Sequence, residues 1–549
     1  MTLPWRNTGR KPVIKTASIP APIGGLNARE SAAAMSITDA LVLRNWFPFP
    51  YAVSMRKGWK ELVVGLTPSA NNPTVAVHHP KSGSAKILAY TGGNIYVLVA
   101  PGVAPAPAVT GMTTDYWQTT MFSNIGGNYL YSVNGFDNPR VYDGVAFTTV
   151  AEVVAPAVGF DVSGVDPKKF IHVAIHQRRL WFVEKDSTQA WYLPIDQVGG
   201  AAQPFPVGQL WRFGGFLMAI YTWTVDSGDG MNDKLCFISS NGEVAMYAGT
   251  NPADAEAWSL EGVFRLGAPV GRRCGVKYGG DLLLLTTDGM VPISTALQST
   301  KVNTADTLTD KIQHTVSDLI SQFKDVVGWE MMLFYNENQI WLVVPSIVQA
   351  SPVSAPREVI PGNIAVQVYT MNTITGSWAQ FTNMDIRSTA IYNDNPAFIT
   401  SDGRVCQAWI GYYDNVPWNA TVGERIELEV VTAYNYFESM GITKRWTMAR
   451  PIFQAGTIPE NAVRLEVDFG VIKSLVLPGG ATIPSSDYLW DDPRSLWDVA
   501  KWNQEYARFR RWQSLQGMGY AAALHMLVSQ NVQTLWVATD YVFELGDTI

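Results

Sequence analysis

Two histidines four residues apart, His172 and His176 in FIHVAIHQ, have the spacing of paired metal ligands on one face of a helix. The Val and Ile residues around them favour a strand instead. There, positions four apart share a face but stand about 13 Å from each other, so no zinc site is expected. Asp226, Asp229 and Asp233 in DSGDGMNDK resemble a calcium loop only loosely, because the EF-hand order of acids, glycine and closing glutamate is missing. A turn insertion between strands fits them better. Asp491-Asp492 offers a carboxylate pair for acid–base work, and fits equally well as a salt-bridge partner of Arg494, Arg508 or Arg510. No GxSxG, HExxH or phosphate-loop run occurs. The three cysteines, Cys236, Cys274 and Cys406, are odd in number, widely spaced and set in apolar runs, which is the pattern of buried free thiols. These residues assign no catalytic, cofactor-binding or metal-ligating role, and the expectation is a chain that is not an enzyme.

The remaining chemistry is aromatic and basic. YLWDDPRSLWDVAKWN and EYARFRRWQSLQGMG hold Trp490, Trp497, Trp502 and Trp512 among arginines. Tryptophan-rich β surfaces stack on sugars, so a carbohydrate-binding or carbohydrate-cleaving propeller is the chief alternative to a structural role, in which the same rings fill cores and subunit contacts. The basic doublets Arg178-Arg179, Arg272-Arg273 and Arg510-Arg511 are flanked by apolar residues and read as solvated strand edges.

The elements that position these groups are β. At 549 residues the chain is long enough for two to four units, at roughly 150 residues each. Only 16% of residues are charged, against roughly 25% in ordinary soluble domains, which favours a surface covered in an assembly. The formal charge of −7 argues against coating nucleic acid but not against a conduit through which DNA slides. The N-terminus lacks the apolar core of a signal peptide, and no run approaches the ~18 apolar residues of a membrane span.

A strand, a turn with glycine and a second strand recur from Ile87, Leu130, Leu235, Leu282 and Phe398. Asn241-Gly242, Asp288-Gly289 and Asp402-Gly403 are the clearest hairpin turns. Weaker pairs start at Arg178, Gln339 and Val366. Six or seven such units, spaced like propeller blades, make residues 61–422 a β-propeller-like body. Pro-rich loops interrupt it at 100–109 and 346–361, and 154–169 reads as a linker. Apolar residues at Leu308, Ile312, Val316, Leu319, Ile320 and Phe323 place one helix at 308–323. Regular alternation from about Gly423 makes 423–549 a separate antiparallel β domain with a Trp-rich loop.

Residues 1–60 remain, an N-terminal arm organised around Pro22 to Trp59. Gly24 and Gly25 permit a sharp turn. Thr38 or Asp39 would then start a helix of about two turns through Ala40 to Leu43, which Pro48 and Pro50 end. The stretch reads as a clip that tethers the body or a neighbouring subunit.

The order GGLN, Asp39-Ala40, Leu43, Asn45, a proline, Val53 and Arg56-Lys57-Gly58 resembles the N-terminal segment of the tail nozzle (tail tubular protein B-like) family of short-tailed bacteriophages. The tryptophan-rich loop, arginine strand, GMG turn and final strand near Asp540-Tyr541 are similar to the C-terminal part of the same family. The resemblance implies a virion structural protein made in the host cytoplasm. It would form a homo-hexameric nozzle ring below the portal and adaptor rings and meet tail fibre or needle proteins. It would close the DNA channel, then pass genomic DNA without specific binding. Candidate assembly residues are Asn27, Arg29, Trp46, Trp490, Trp497, Arg510 and Arg511. A tail receptor-binding module is the related alternative.

Overall fold

The computed structural model describes residues 13–69, 72–154, 159–226, 231–296, 304–345, 367–477 and 507–546. The chain is mainly β, arranged in many sheets, and divides into two compact units. One holds residues 58–374 and 381–424, and the other 1–57, 375–380 and 425–549.

Among the described residues the larger unit holds seven mainly antiparallel groups of strands, one of them part of a longer mixed sheet, and a short parallel pair, Val162–Ser163 with Gly200–Ala201. The first strands of the seven are Thr74–His78, Gln118–Ser123, Phe170–His176, Leu217–Asp226, Gly275–Tyr278, Glu330–Phe334 and Ser388–Tyr392. The hairpins read from Ile87, Leu130, Arg178, Leu235, Leu282, Gln339 and Phe398 all fall in these sheets. At the turns of the fourth and seventh, Gly242 (φ 85°) and Gly403 (φ 81°) occupy the left-handed region and also lie against backbone carbonyls with no room for a Cβ. Alternate residues of each strand face opposite neighbours, so the apolar core is a set of layers between sheets. Tyr131, Val141, Phe170 and Phe182 fill the layer between the second and third. Trp181, Ile220, Phe237 and Trp258 fill the next. Val63, Val75, Ala89 and Ile399 join the seventh sheet to the first. The seventh sheet is completed from the other end of the unit: Trp59–Val64 pairs antiparallel with Val405–Ala408.

The helix expected at 308–323 runs over Gln313–Phe323, after a 3-10 turn at Asp310–Ile312, and buries Val316, Leu319 and Ile320. Its last turn is pinned by Trp329, whose indole N–H donates to the Phe323 carbonyl (2.9 Å). The loop at 346–361 lies outside the described residues. That at 100–109 carries two short strands, Gly102–Val103 and Val109–Thr110.

The smaller unit corrects the reading of the N-terminal arm. Thr38 does not start a helix; Asp39–Arg44 is a strand. Gly25–Leu26 pairs parallel with Asp39–Ala40, and the Asn27 amide donates to the Asp39 carboxylate (2.8 Å), so the residue expected to cap a helix is held by its neighbour strand. Gly25 (φ 83°) turns where a Cβ would strike the Trp378 backbone. Val13–Pro20 pairs along its full length with Thr534–Leu545. Trp46 is fully buried against Trp536 at 6.0 Å between ring centroids. The arm is therefore neither a tether nor a separate domain: it supplies strands to both sheets of the unit that also holds 425–549.

One face of the second of these sheets carries a cross-strand ladder of charged groups and a histidine. Arg44 binds Glu429 (2.6 Å). His525, with no solvent exposure, stands between Glu429 (3.1 Å from Nε2) and Glu466 (3.2 Å from Nδ1). Arg464 closes the row on Glu466 (2.9 Å). The hydrogen bond from His525, with Arg44 adding to it against the opposing effect of burial, holds the Glu429 carboxyl below its usual range.

Two outcomes follow from this packing. Trp46→Ala removes a fully buried indole and should cost about 3–5 kcal/mol, lowering the urea midpoint of the full chain; deletion of Pro22–Trp59 should prevent this unit from folding. Glu429, held low, stabilises the fold fully above the unfolded carboxylate value of about 4.3 and less as pH falls through its lower folded value. Glu429→Gln should flatten the loss of melting temperature between pH 5 and 3, and an unchanged acid slope would contradict this.

Candidate functional site

The first strands of the seven sheets, with Trp117 and Arg273 just ahead of two of them, line one cavity of about 460 Å³. The lining comes from the starts and middles of these strands, and most of its residues are polar.

Arg273 organises one end of the wall. Its Nη1 donates to Glu330 Oε2 (2.5 Å) and Ser388 Oγ (2.9 Å). Its Nη2 donates to Thr74 Oγ1 (2.9 Å) and the Trp117 carbonyl (2.6 Å). The other Glu330 oxygen accepts from the Thr389 amide (2.8 Å) and hydroxyl. One guanidinium thus joins groups at the head of the fifth, sixth, seventh, first and second sheets. The Arg273 and Glu330 side chains are 11% and 10% exposed. Burial pulls the Arg273 pKa down, but Glu330 and Tyr116, whose ring lies 4.6 Å from the guanidinium carbon, more than offset it and leave it above its ordinary value. Thr74 donates to the Asp115 carbonyl (2.8 Å), and the Asp115 carboxylate accepts from Gly92 N (2.9 Å) and Gly93 N (2.8 Å), fixing the hairpin turn of the first sheet.

Arg272-Arg273, expected at a solvated edge, is therefore mostly buried. The hub was missed because its members lie far apart in sequence. Its signal was an acid, Glu330, following Trp329 in an otherwise apolar strand opening, a context in which a carboxylate needs a buried cation.

His172 and His176 lie on one strand, Phe170–His176, as expected. They point to different partners: His172 packs edge-on against Tyr221 (5.2 Å) and His176 against Trp258 (5.7 Å), with His176 Nδ1 3.3 Å from the Thr222 hydroxyl. Burial pushes His172 down to about 3, with Arg272 and Arg273 adding to the effect, and pushes His176 down to about 4. Among the described residues no cluster of His, Cys, Asp or Glu has the arrangement of a metal site, and no helix is long and apolar enough to cross a membrane. Asp233 accepts from Thr224 (2.7 Å); Asp229 lies outside the described residues. The three cysteines are free and buried, and burial pushes the Cys274 thiol up to about 12.

The candidate assembly residues separate. Asn27 and Trp46 are buried, so what they contribute goes to the interior of their own unit. Arg29 is half-exposed and paired with Glu30 (2.7 Å). Arg510 and Arg511 are exposed at the end of the strand Ala507–Arg510. Beside them in sequence, Trp512 receives the Arg450 guanidinium at 4.5 Å, and Arg450 binds Asp540 (2.6 Å). Trp490, Trp497 and Asp491-Asp492 lie outside the described residues.

No protein-family model matches this chain. No curated protein matches it either. Among solved structures, a Bacteroides fragilis protein provisionally assigned as a 6-phosphogluconolactonase aligns with 61% of this chain and 89% of its own, at 10% identity and a TM-score of 0.32. The expectation that excluded enzymes is withdrawn on this finding, since the aligned structure is assigned to an enzyme. At that score the likeness gives this chain no activity and no substrate.

Arg273→Met strands the Glu330 carboxylate in the interior and should cost about 3–5 kcal/mol. Arg273→Lys should recover little, because an ammonium cannot reproduce four bonds from a planar fork. The double variant Arg273→Met, Glu330→Met should be more stable than Arg273→Met alone in urea unfolding of the full chain. Equal midpoints for all four proteins would show that the hub ties nothing together.

Proposed function

We propose that the seven sheets are the blades of a β-propeller and that the chain is a structural subunit of a short phage tail. Its place would be the nozzle ring below the portal and adaptor rings, closing the DNA channel and conducting DNA on ejection. One observation carries this reading. The residues through which the sequence resembles nozzle proteins are bonded to one another. Gly24 N donates to the Thr38 carbonyl (2.8 Å) and Asn27 to Asp39 (2.8 Å). Arg56, fully buried, donates from Nε to Asn45 Oδ1 (2.8 Å) and from its backbone N–H to the Asn45 carbonyl (3.0 Å). Gly58 lies where a Cβ would meet the Tyr413 backbone. These bonds among residues that carry the resemblance support the reading, and the strand beginning the described chain lies beside the one ending it.

As a ring subunit the chain has hexameric partners of its own kind, adaptor or portal proteins on one side and fibre or needle proteins on the other. Each copy carries a formal charge of −7, so a lumen bearing part of it slides DNA instead of gripping it. The exposed Arg510 and Arg511 are the described residues proposed for contacts between subunits.

The test is oligomeric state and location together. Mass photometry of the purified chain with its adaptor ring should give six copies, and electron microscopy of particles should show a six-fold ring at the tail tip labelled by an antibody to this chain. Arg510→Glu with Arg511→Glu should together lower ring formation roughly ten-fold, about 1.4 kcal/mol of assembly free energy in all, with no change in the unfolding midpoint. A protein absent from purified particles would overturn the assignment.

A further inference from the structure

The strand Ala507–Arg510 lies at one end of its sheet. It is bonded on one side to residues 452–455 of the strand Lys444–Ala455 and pairs with no strand on the other among the described residues. Arg508 and Arg510, two apart, share one face of it, opposite Gln454 and Ile452, and Arg511 follows. All three are exposed, and none forms an ion pair among the described residues. Asp540, an acid whose charge Arg510 feels, is already taken by Arg450 (2.6 Å). Trp512, 36% exposed, completes the edge, with the Arg450 guanidinium 4.5 Å from its ring. Charged side chains on an edge ordinarily keep other strands off it. Three of one sign do so against the same edge of a second copy, where like would face like, and leave the edge open to a partner that carries acids.

The chain itself carries such a partner. Between Leu477 and Ala507 run 29 residues, and both ends of that run belong to the smaller unit. Over 487–498, the aspartates Asp487, Asp491, Asp492 and Asp498 stand against one base, Arg494, with Trp490 and Trp497 among them. Asp492 is the midpoint of the run. At roughly 3.3 Å per residue, a segment tethered at both ends brings its midpoint as far as about 45 Å from them, so the paired acids sit where the reach is greatest. A connection this long within a compact domain is uncommon and ordinarily serves a contact.

We propose that the acidic stretch 487–498 of one copy docks on the arginine edge of a second copy, its aspartates paired with Arg508, Arg510 and Arg511 and its tryptophans set beside Trp512. The inference rests on the reading of the chain as a ring subunit, and names what the arginines of one subunit meet on the next. Stretch and edge are different surfaces, so the contact is head-to-tail, and a head-to-tail contact repeated with a closing rotation makes a ring. A single exposed ion pair contributes little. Several together, with arginine and tryptophan at the centre, are what sets affinity and register at an interface.

The test is sedimentation velocity of the full chain over a concentration series at low and at high salt. The parent should associate, and less so at high salt. An edge variant, Arg508→Glu with Arg510→Glu, and a stretch variant, Asp491→Lys with Asp492→Lys, should each weaken association at least ten-fold with the unfolding midpoint unchanged. An equimolar mixture of the two should recover it, because each then meets opposite charge on the other, and so should one chain with all four substitutions. If a charge variant does not fold, Asp492→Cys mixed with Arg510→Cys under oxidation decides: a disulfide-linked dimer is expected, since the three native cysteines are buried, and its absence would overturn the docking. A parent that associates equally with or without the charge variants would overturn the docking and leave the ring reading standing, whereas a parent that stays monomeric would overturn both. Recovery in the four-fold chain but not in the mixture would mean that the stretch docks on its own chain, and would overturn the second copy as its partner.

Discussion

The centre of the larger unit depends on a single buried guanidinium. Sheets arranged around a common cavity bury their apolar faces against one another, so the hydrophobic effect glues each sheet to its neighbours but does little for the inner strands, which begin on a polar wall. Something directional must set how those strand starts stand to each other. Arg273 does so with four hydrogen bonds to four different residues, and Glu330 relays it to a fifth, Thr389. The planar fork makes these bonds simultaneously, which a lysine cannot. The charge is tolerated in the interior because the carboxylate is matched and both of its oxygens are occupied.

The smaller unit solves a related problem by different means. It is assembled from segments at opposite ends of the chain, so its strands must be registered without the help of short turns. Side chains do the registering. Asn27 with Asp39 fixes the parallel pair at its start, and Asn45 with Arg56 fixes the bend between its two sheets. The row from Arg44 through Glu429, His525 and Glu466 to Arg464 fixes four strands across one face. A slip by one residue would move every member of that row to the opposite face. Register is therefore specified electrostatically where the chain is least able to specify it locally.

What was legible in the sequence follows the range of the interaction responsible. Hairpins with Asn-Gly or Asp-Gly turns are local, and the strands of Leu235, Leu282 and Phe398 lie where alternation and turn chemistry put them. The helix was legible from its apolar period, with Val316, Leu319 and Ile320 buried. Thr38 to Leu43 misled because helix-starting chemistry is weak, and a parallel partner at Gly25–Leu26 outweighs it. Arg272-Arg273 misled because exposure is the ordinary state of arginine, and the carboxylate that buries it lies on another sheet. Asn27 and Trp46 stood out correctly as unusual, but the structure spends them inside the subunit.

Both units close by pairing early residues with late ones. Val13–Pro20 lies along Thr534–Leu545 in one, and Trp59–Val64 lies beside Val405–Ala408 in the other. Each closure joins strands separated by hundreds of residues, so the entropy of a very long loop is spent before the contact returns anything. Before that, Val405–Ala408 and Thr534–Leu545 each present an unpaired edge, the kind of surface that invites pairing with another chain. Both edges are met by residues already made, because Val13–Pro20 and Trp59–Val64 precede their partners in the chain. The N-terminal segment thus supplies the partner strand in each of these long-range pairings.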